Sequence, residues 1–182
     1  MDLSFRHDFW LARLPRSPAT LGRLELLVVR PRKGERTEPT EVEVSVERGV
    51  HGDRWESDPH RRPGNQVSIM NVHVLRAVAG DDPARLAPAG DNLVVDLDLS
   101  EANLPVGSLL TIGEVVLEVT PEPHRPCASF VERYGHLAAK RVARGTRTGR
   151  RTRGVLARVV VPGTLRVGAN VHVKRPGSAC LA

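Results

Sequence analysis

Leu109-Leu110-Thr111-Ile112-Gly113-Glu114-Val115-Val116-Leu117-Glu118-Val119 reads as two apolar runs folded about a Gly113-Glu114 turn, the signal of a β-hairpin. Towards the N-terminus, Pro105-Val106-Gly107 is a turn, and Asn92 to Leu97 and Gln66 to Met70 are two more short strands. Farther back, Val42, Val44 and Val46 alternate with Glu41, Glu43, Ser45 and Glu47, a period of two that marks a half-buried strand. Leu21 to Arg30 is the first strand, separated from that one by a turn-rich, charged loop over Pro31 to Pro39. Beyond the hairpin, Val155 to Val161 and Val171 to Val173 are the last strands. Two helices interrupt them. Asn71 caps one running to about Ala79, with Val72, Leu75, Val78 and Ala79 at helical spacing. The other starts at Cys127 and carries Phe130, Val131, Tyr134, Leu137 and Ala138, with Gly135 as a weak point. Short strands with turn signals and a few short helices predict a mainly β fold, a barrel or a sandwich. Periodicity does not choose between the two.

The chain has 182 residues, enough for one domain with one core, and 40% of them are hydrophobic. Aromatics are only 3%, so Val, Leu and Ala must fill that core. No stretch approaches the roughly 18 apolar residues of a membrane helix, and charges at Asp2, Arg6, Asp8, Arg13 and Arg16 interrupt the start where a secretory signal would be apolar. A cytoplasmic protein with no membrane partner is the expectation. The two cysteines, Cys127 and Cys180, make no disulfide framework and are read as free thiols. The net charge of +6 comes almost wholly from arginine, the lysines being Lys33, Lys140 and Lys174. Arg141, Arg144, Arg147, Arg150, Arg151 and Arg153 crowd one stretch, and guanidinium forks bind phosphate and carboxylate. That stretch is read as a loop able to close over an anionic ligand, or simply as a solvated one. A nucleic-acid-binding module is the competing class, but no aromatic is interleaved with these arginines to stack on bases.

Three constellations can carry chemistry. Cys127 ends Pro123-His124-Arg125-Pro126-Cys127 at the start of a predicted helix. Unpaired N–H groups there, and the positive charge of Arg125, favour the thiolate, which is the nucleophile and the metal ligand. Against this stands the ordinary role of a lone cysteine as a small buried hydrophobe. Gly49-Val50-His51-Gly52-Asp53-Arg54 is a glycine-punctuated loop in which Arg54 can grip an anion, or a tight turn with an Asp–Arg surface pair. Gly90-Asp91-Asn92 is a turn into a strand, or a polar group aimed into a pocket. His124 and Cys127 are spaced like one arm of a zinc site, but no second closely spaced Cys/His pair follows. Neither a P-loop nor a dinucleotide-binding glycine pattern occurs.

Taken in order, the motifs resemble the MOSC family, named for the C-terminal domain of molybdenum-cofactor sulfurase, in its small stand-alone bacterial form. The stretches that carry the resemblance are Gly49 to Arg54, Gln66-Val67-Ser68-Ile69-Met70, Gly90-Asp91-Asn92-Leu93-Val94-Val95, Leu104-Pro105-Val106-Gly107 and Leu117-Glu118-Val119-Thr120. Cys127 with Phe130 to Gly135, Arg153-Gly154-Val155-Leu156-Ala157-Arg158-Val159-Val160 and Pro162 to Gly168 complete them. The resemblance covers about Leu21 to Val173, with 1–18 read as an extension, 19–175 as the domain and 176–182 as a tail. It departs at Ala169-Asn170, where the family usually has Gly-Asp, and at Pro126, where many relatives have Cys or Gly beside the cysteine.

The resemblance implies a compact β-barrel that binds molybdenum cofactor (molybdopterin) or delivers sulfur to metal–sulfur centres. Cys127 is then the persulfide carrier, the catalytic group or the metal ligand. His51, Asp53, Arg54, Asn92 and Arg153 stand in motifs that line the cofactor site, and Arg125 joins them as a neighbour of the cysteine. The chain is too short for the pyridoxal-phosphate domain of the large sulfurases, so pyridoxal phosphate would belong to a partner cysteine desulfurase. Some members of the family reduce N-hydroxylated compounds. Two cysteines cannot hold an iron–sulfur cluster through four thiolates, so a flavin or iron–sulfur partner would be a separate chain.

Overall fold

The hairpin read at Gly113-Glu114 forms, its strands paired from Leu109↔Glu118 to Ile112↔Val115. The computed structural model of the chain describes residues 10, 12–80 and 82–177; Cys180 lies outside them. The strands are β1 (Leu21–Leu27), β2 (Glu41–Ser45), β3 (Gly49–Val50), β4 (Val67–Asn71), β5 (Leu93–Asp96), β6 (Leu109–Ile112), β7 (Val115–Val119), β8 (Val155–Val161), β9 (Gly163–Arg166) and β10 (Asn170–Lys174). The helices are α1 (Val72–Ala79) and α2 (Ala128–Arg147). Seven strands close a barrel in the order β1-β10-β6-β7-β8-β4-β5, and β3-β2-β9 form a separate three-stranded sheet. The fold is therefore a barrel rather than a sandwich.

Alternation explains the interior. On β7, Val115, Leu117 and Val119 are fully buried, while Val116 and Glu118 are half-buried on the outer face. Leu110 and Ile112 of β6 and Val171 of β10 join them in one aliphatic core. β4 and β5 have no such alternation because both of their faces are covered. Val67, Ile69, Leu93 and Val95 point into the barrel, whereas Met70 and Val94 pack with Val72, Leu75 and Ala79 of α1. These two strands are the barrel's parallel pair, and α1 begins the crossover that a parallel pair requires. Asn71 starts it as read from sequence, its Oδ1 accepting from the N–H groups of His73 at 2.9 Å and Val74 at 3.0 Å.

Helix α2 differs from the expectation in two ways. Gly135, at φ 82°, breaks it into two segments rather than merely weakening it. The stretch expected to be an arginine loop is largely helical, since α2 continues to Arg147. The reason is packing: Val142 is fully buried, Ala139 nearly so, and both cluster with Phe130. Gly145 lets the helix lie directly against Thr152. Gly154 is required for a similar reason at the entry to β8, where φ is 92° and a Cβ would overlap the Ile69 carbonyl oxygen. The backbone that carries Arg151 and Arg153 is thus pinned between α2 and β4. The small sheet holds a strand that the sequence reading did not separate: β9 pairs with β2 from Glu41↔Arg166 to Val44↔Gly163.

Candidate functional site

Arg30, in the loop after β1, is the first member of the site. Its Nε and Nη2 donate to the two carboxylate oxygens of Asp53 at 2.8 and 2.9 Å. Its Nη1 donates to the Gly90 carbonyl at 3.0 Å, and Nη2 also reaches Asn92 Oδ1 at 3.1 Å. Asp53 is buried, and burial alone would raise its carboxyl. Hydrogen bonds and charge from Arg30, with the N–H groups of Trp55 and Arg30, outweigh that and hold it below its ordinary value. Asn92 is 1% exposed. Its Oδ1 accepts from Ser68 as well as Arg30, and its Nδ2 donates to Asp53 at 2.9 Å and to Val28. Both ends of this amide are used inside the protein. Asp53 and Asn92 therefore brace Arg30 from below, with no polar capacity left for a ligand of their own.

Above this brace lies a cluster of guanidinium groups. Arg36 packs over Gly90, which has φ 77° and no Cβ; one added there would stand 3.3 Å from Arg36 Nη2. Burial and the nearby charges of Arg133, Arg30 and Arg54 lower the Arg36 pKa from its ordinary value. Arg30 is neutralised by Asp53. Arg36, Arg54 and Arg133 have no carboxylate partner among the described residues, and Arg36 Nε is a buried donor with no partner there. Positive charge held this way, with a donor unused, suits an anion.

Beside the cluster is a buried acid. Asp91 is 1% exposed and receives one nitrogen of Arg153, whose Nη1 bridges both carboxylate oxygens at 2.7 and 2.8 Å. Burial pushes the Asp91 carboxyl up from its ordinary value, against the pull of Arg153 and Arg30. Arg153 is itself buried. Its guanidinium lies 5.0 Å from the centre of the Phe130 ring, and its Nε has no partner among the described residues. Tyr134 packs against Phe130 with the rings tilted at 56° and donates its hydroxyl to the Arg85 carbonyl at 2.6 Å. Burial first, and then Asp91, push its pKa up to about 12. His124 Nε2 approaches Asp91 at 3.5 Å, too far for a strong hydrogen bond, and its Nδ1 is buried without a partner there.

Burial, then the charges of Arg153 and Arg30, hold His124 well below its ordinary value of 6.5. The unfolded chain takes up a proton there as pH falls through 6.5, and the folded chain does not. Stability therefore drops below that pH by about 1.4 kcal/mol per unit for this one group. His124→Gln removes that component, so its urea-melt stability should lose less than the wild type's between about pH 6.5 and 5.5. Parallel pH profiles for the two proteins would contradict it.

The structure gathers the residues singled out from sequence unevenly. Asp53, Asn92 and Arg153 are part of this network. Arg54 is exposed at its rim. His51 has its partners on the small sheet instead, its ring reaching Ser45 Oγ at 3.1 Å and Glu43 at 3.2 Å. Arg125 is exposed and lines a neighbouring cleft. Cys127 is an exposed free thiol at the N-cap of α2, where its side chain makes no capping hydrogen bond. In sequence Cys127 stands between His124, which approaches Asp91, and Phe130, which lies under Arg153. Arg30, Arg36, Asp91 and Arg133 were not singled out individually. Asp91 had a signal, a carboxylate between Gly90 and the apolar Leu93 to Val95 run; Arg30 and Arg36 had none. Among the described residues no group of three or more His, Cys, Asp or Glu side chains is placed to hold a metal ion. No helix there is long and apolar enough to cross a membrane.

The barrel has solved counterparts. The YuaD protein from Bacillus subtilis superposes with a TM-score of 0.64 at 19% identity, covering 84% of this chain and 95% of that one. YiiM from Escherichia coli gives 0.57 at 23% identity, covering 84% and 69%. YiiM from Geobacillus stearothermophilus gives 0.57 at 16% identity, covering 88% and 79%. These similarities establish the fold. None of the curated proteins matches the chain. The family model of the MOSC domain matches residues 47–172, which include β3 to β9, Asp53, Asp91, Asn92, Cys127 and Arg153. The chain belongs to the MOSC domain family.

Proposed function

We propose that the protein binds molybdenum cofactor at the arginine-rich end of the barrel and uses Cys127 as sulfur carrier or metal ligand. The observation that carries this reading is Arg36, packed over Gly90 within the field of Arg54 and Arg133, none of the three having a carboxylate partner among the described residues. A phosphate fits such a set, since it offers the acceptor oxygens that Arg36 Nε lacks. A thiolate at an exposed helix start fits a soft metal or a transferable sulfur. When bound, the cofactor would supply a redox-active metal held by sulfur.

The chain's own residues supply binding and orientation. Arg36, Arg54 and Arg133 would hold the phosphate. Arg30 is fixed by Asp53 and Asn92, and Arg153 by Asp91, so neither cation moves on binding. In the carrier role, a nucleophile attacks the outer sulfur of a Cys127 persulfide. The S–S bond breaks, that sulfur moves to the nucleophile, and Cys127 leaves as thiolate. The sulfur would come from a partner desulfurase that holds pyridoxal phosphate. In the ligand role, the same cysteine serves a reductase of N-hydroxylated compounds that takes electrons from a flavin or iron–sulfur partner. The test of binding is molybdenum and pterin content after purification from a cofactor-producing host. Wild-type protein should carry both, and the double variant Arg36→Glu, Arg133→Glu should lose at least about tenfold, as expected when charge-assisted hydrogen bonds are reversed. Equal content in the two proteins would reject the reading.

A further inference from the structure

A cleft of about 590 Å³ opens next to this cluster, between the loop that follows β7, the end of α2 and the turn before β8. Arg125, Arg147 and Arg151 converge on it from those three segments, with His124 in the wall. Two carboxylates also line it. Glu122 is turned to Arg62 at 3.6 Å, and Glu101 stands 3.9 Å from Arg151. Arg125 and Arg147 have no carboxylate partner among the described residues, so the cleft keeps two uncompensated positive charges. Arg151 is the only non-glycine residue with positive φ among those described, at 45°. Its Nη1 donates to the Leu104 carbonyl at 2.5 Å, which fixes the guanidinium at the cleft wall. A side chain held in a left-handed backbone persists only where its surroundings impose it, and such residues cluster at ligand sites.

We propose that this cleft is a second anion site, which takes the carboxylate or phosphate of a small molecule. The site stands on the cleft alone and does not depend on the function proposed above. Its size suits a small molecule, and each guanidinium fork on its wall can bind a carboxylate or phosphate through two N–H groups.

The test follows the arginine Nε–Hε signals of ¹⁵N-labelled protein while inorganic phosphate, and in a separate arm succinate, is added. Arg125, Arg147 and Arg151 should shift together along one saturable curve, and the arm with the tighter curve identifies the oxyanion. Arg151→Gly removes the guanidinium from a backbone that glycine adopts without strain, and should weaken binding about tenfold, the loss of one charge-assisted contact. Arg147→Ala, on the exposed end of α2, should weaken it in the same direction. Arg36→Ala should lower cofactor retention and leave the cleft titration as it is. Three signals that fail to saturate with either anion, or an Arg151→Gly curve equal to that of the wild type, would overturn the cleft site while leaving the cofactor reading intact. Cleft binding lost in Arg36→Ala would overturn it as a separate site.

Discussion

Arg153→Met is expected to destabilise the fold by roughly 3–5 kcal/mol, because it strips the cation from a carboxylate buried inside the protein. Asp91 is 1% exposed, and Arg153 Nη1 alone bridges both of its oxygens. His124, 3.5 Å from Asp91, is kept from taking up that charge first by its burial, which the variant leaves in place. The remedy available to the variant is to protonate Asp91, a direction in which burial already pushes it. The loss in stability should therefore shrink as pH falls towards the carboxylate range. Removing both charges is milder than removing one: Asp91→Leu with Arg153→Met should recover most of the loss, since a buried pair exchanged for apolar groups is often near neutral. Urea melts of the two variants across pH settle both points. A loss under about 1 kcal/mol for Arg153→Met would mean that Asp91 is solvated and the buried pair does not exist.

Cys127→Ser is expected to act on chemistry and leave the fold alone. The thiol is exposed and caps nothing, whereas serine is a favoured N-cap, so the melt should hold or rise by up to about 1 kcal/mol. Sulfur transfer should disappear outright, because serine cannot hold a persulfide. Cofactor content separates the two roles of the residue. A carrier keeps its cofactor in the variant, held by the guanidinium cluster, whereas a metal ligand gives up both. A variant that retains cofactor and transfers sulfur at the wild-type rate would remove Cys127 from the site.

What could be read from sequence was local. The β6–β7 hairpin, the alternation of Val42 and Val44 along β2 and the Asn71 cap each depend on residues within a few positions of one another, and each is in the structure, whereas Val46, read with that strand, is exposed beyond its end. Barrel closure depends on β1 meeting both β5 and β10, pairings that no short window contains. The site is long-range in the same way. Arg30 and Asn92 are 62 residues apart, and Arg153 and Asp91 also 62, so neither contact leaves a spacing pattern. The arginine-rich stretch misled for another reason. Only Val142 and Gly145 of its helical part, Arg141 to Arg147, are buried, too small an apolar face to advertise a helix among so many charges.

The most direct test of the central claim, that a guanidinium-walled barrel end offers an exposed thiol to an anionic cofactor, is the native mass of the intact wild-type protein. The account predicts a species heavier by a pterin cofactor, or by one sulfur atom that alkylation maps to Cys127. A protein of bare mass from a host that makes the cofactor and a cysteine desulfurase, with Cys127 fully reduced, would contradict it.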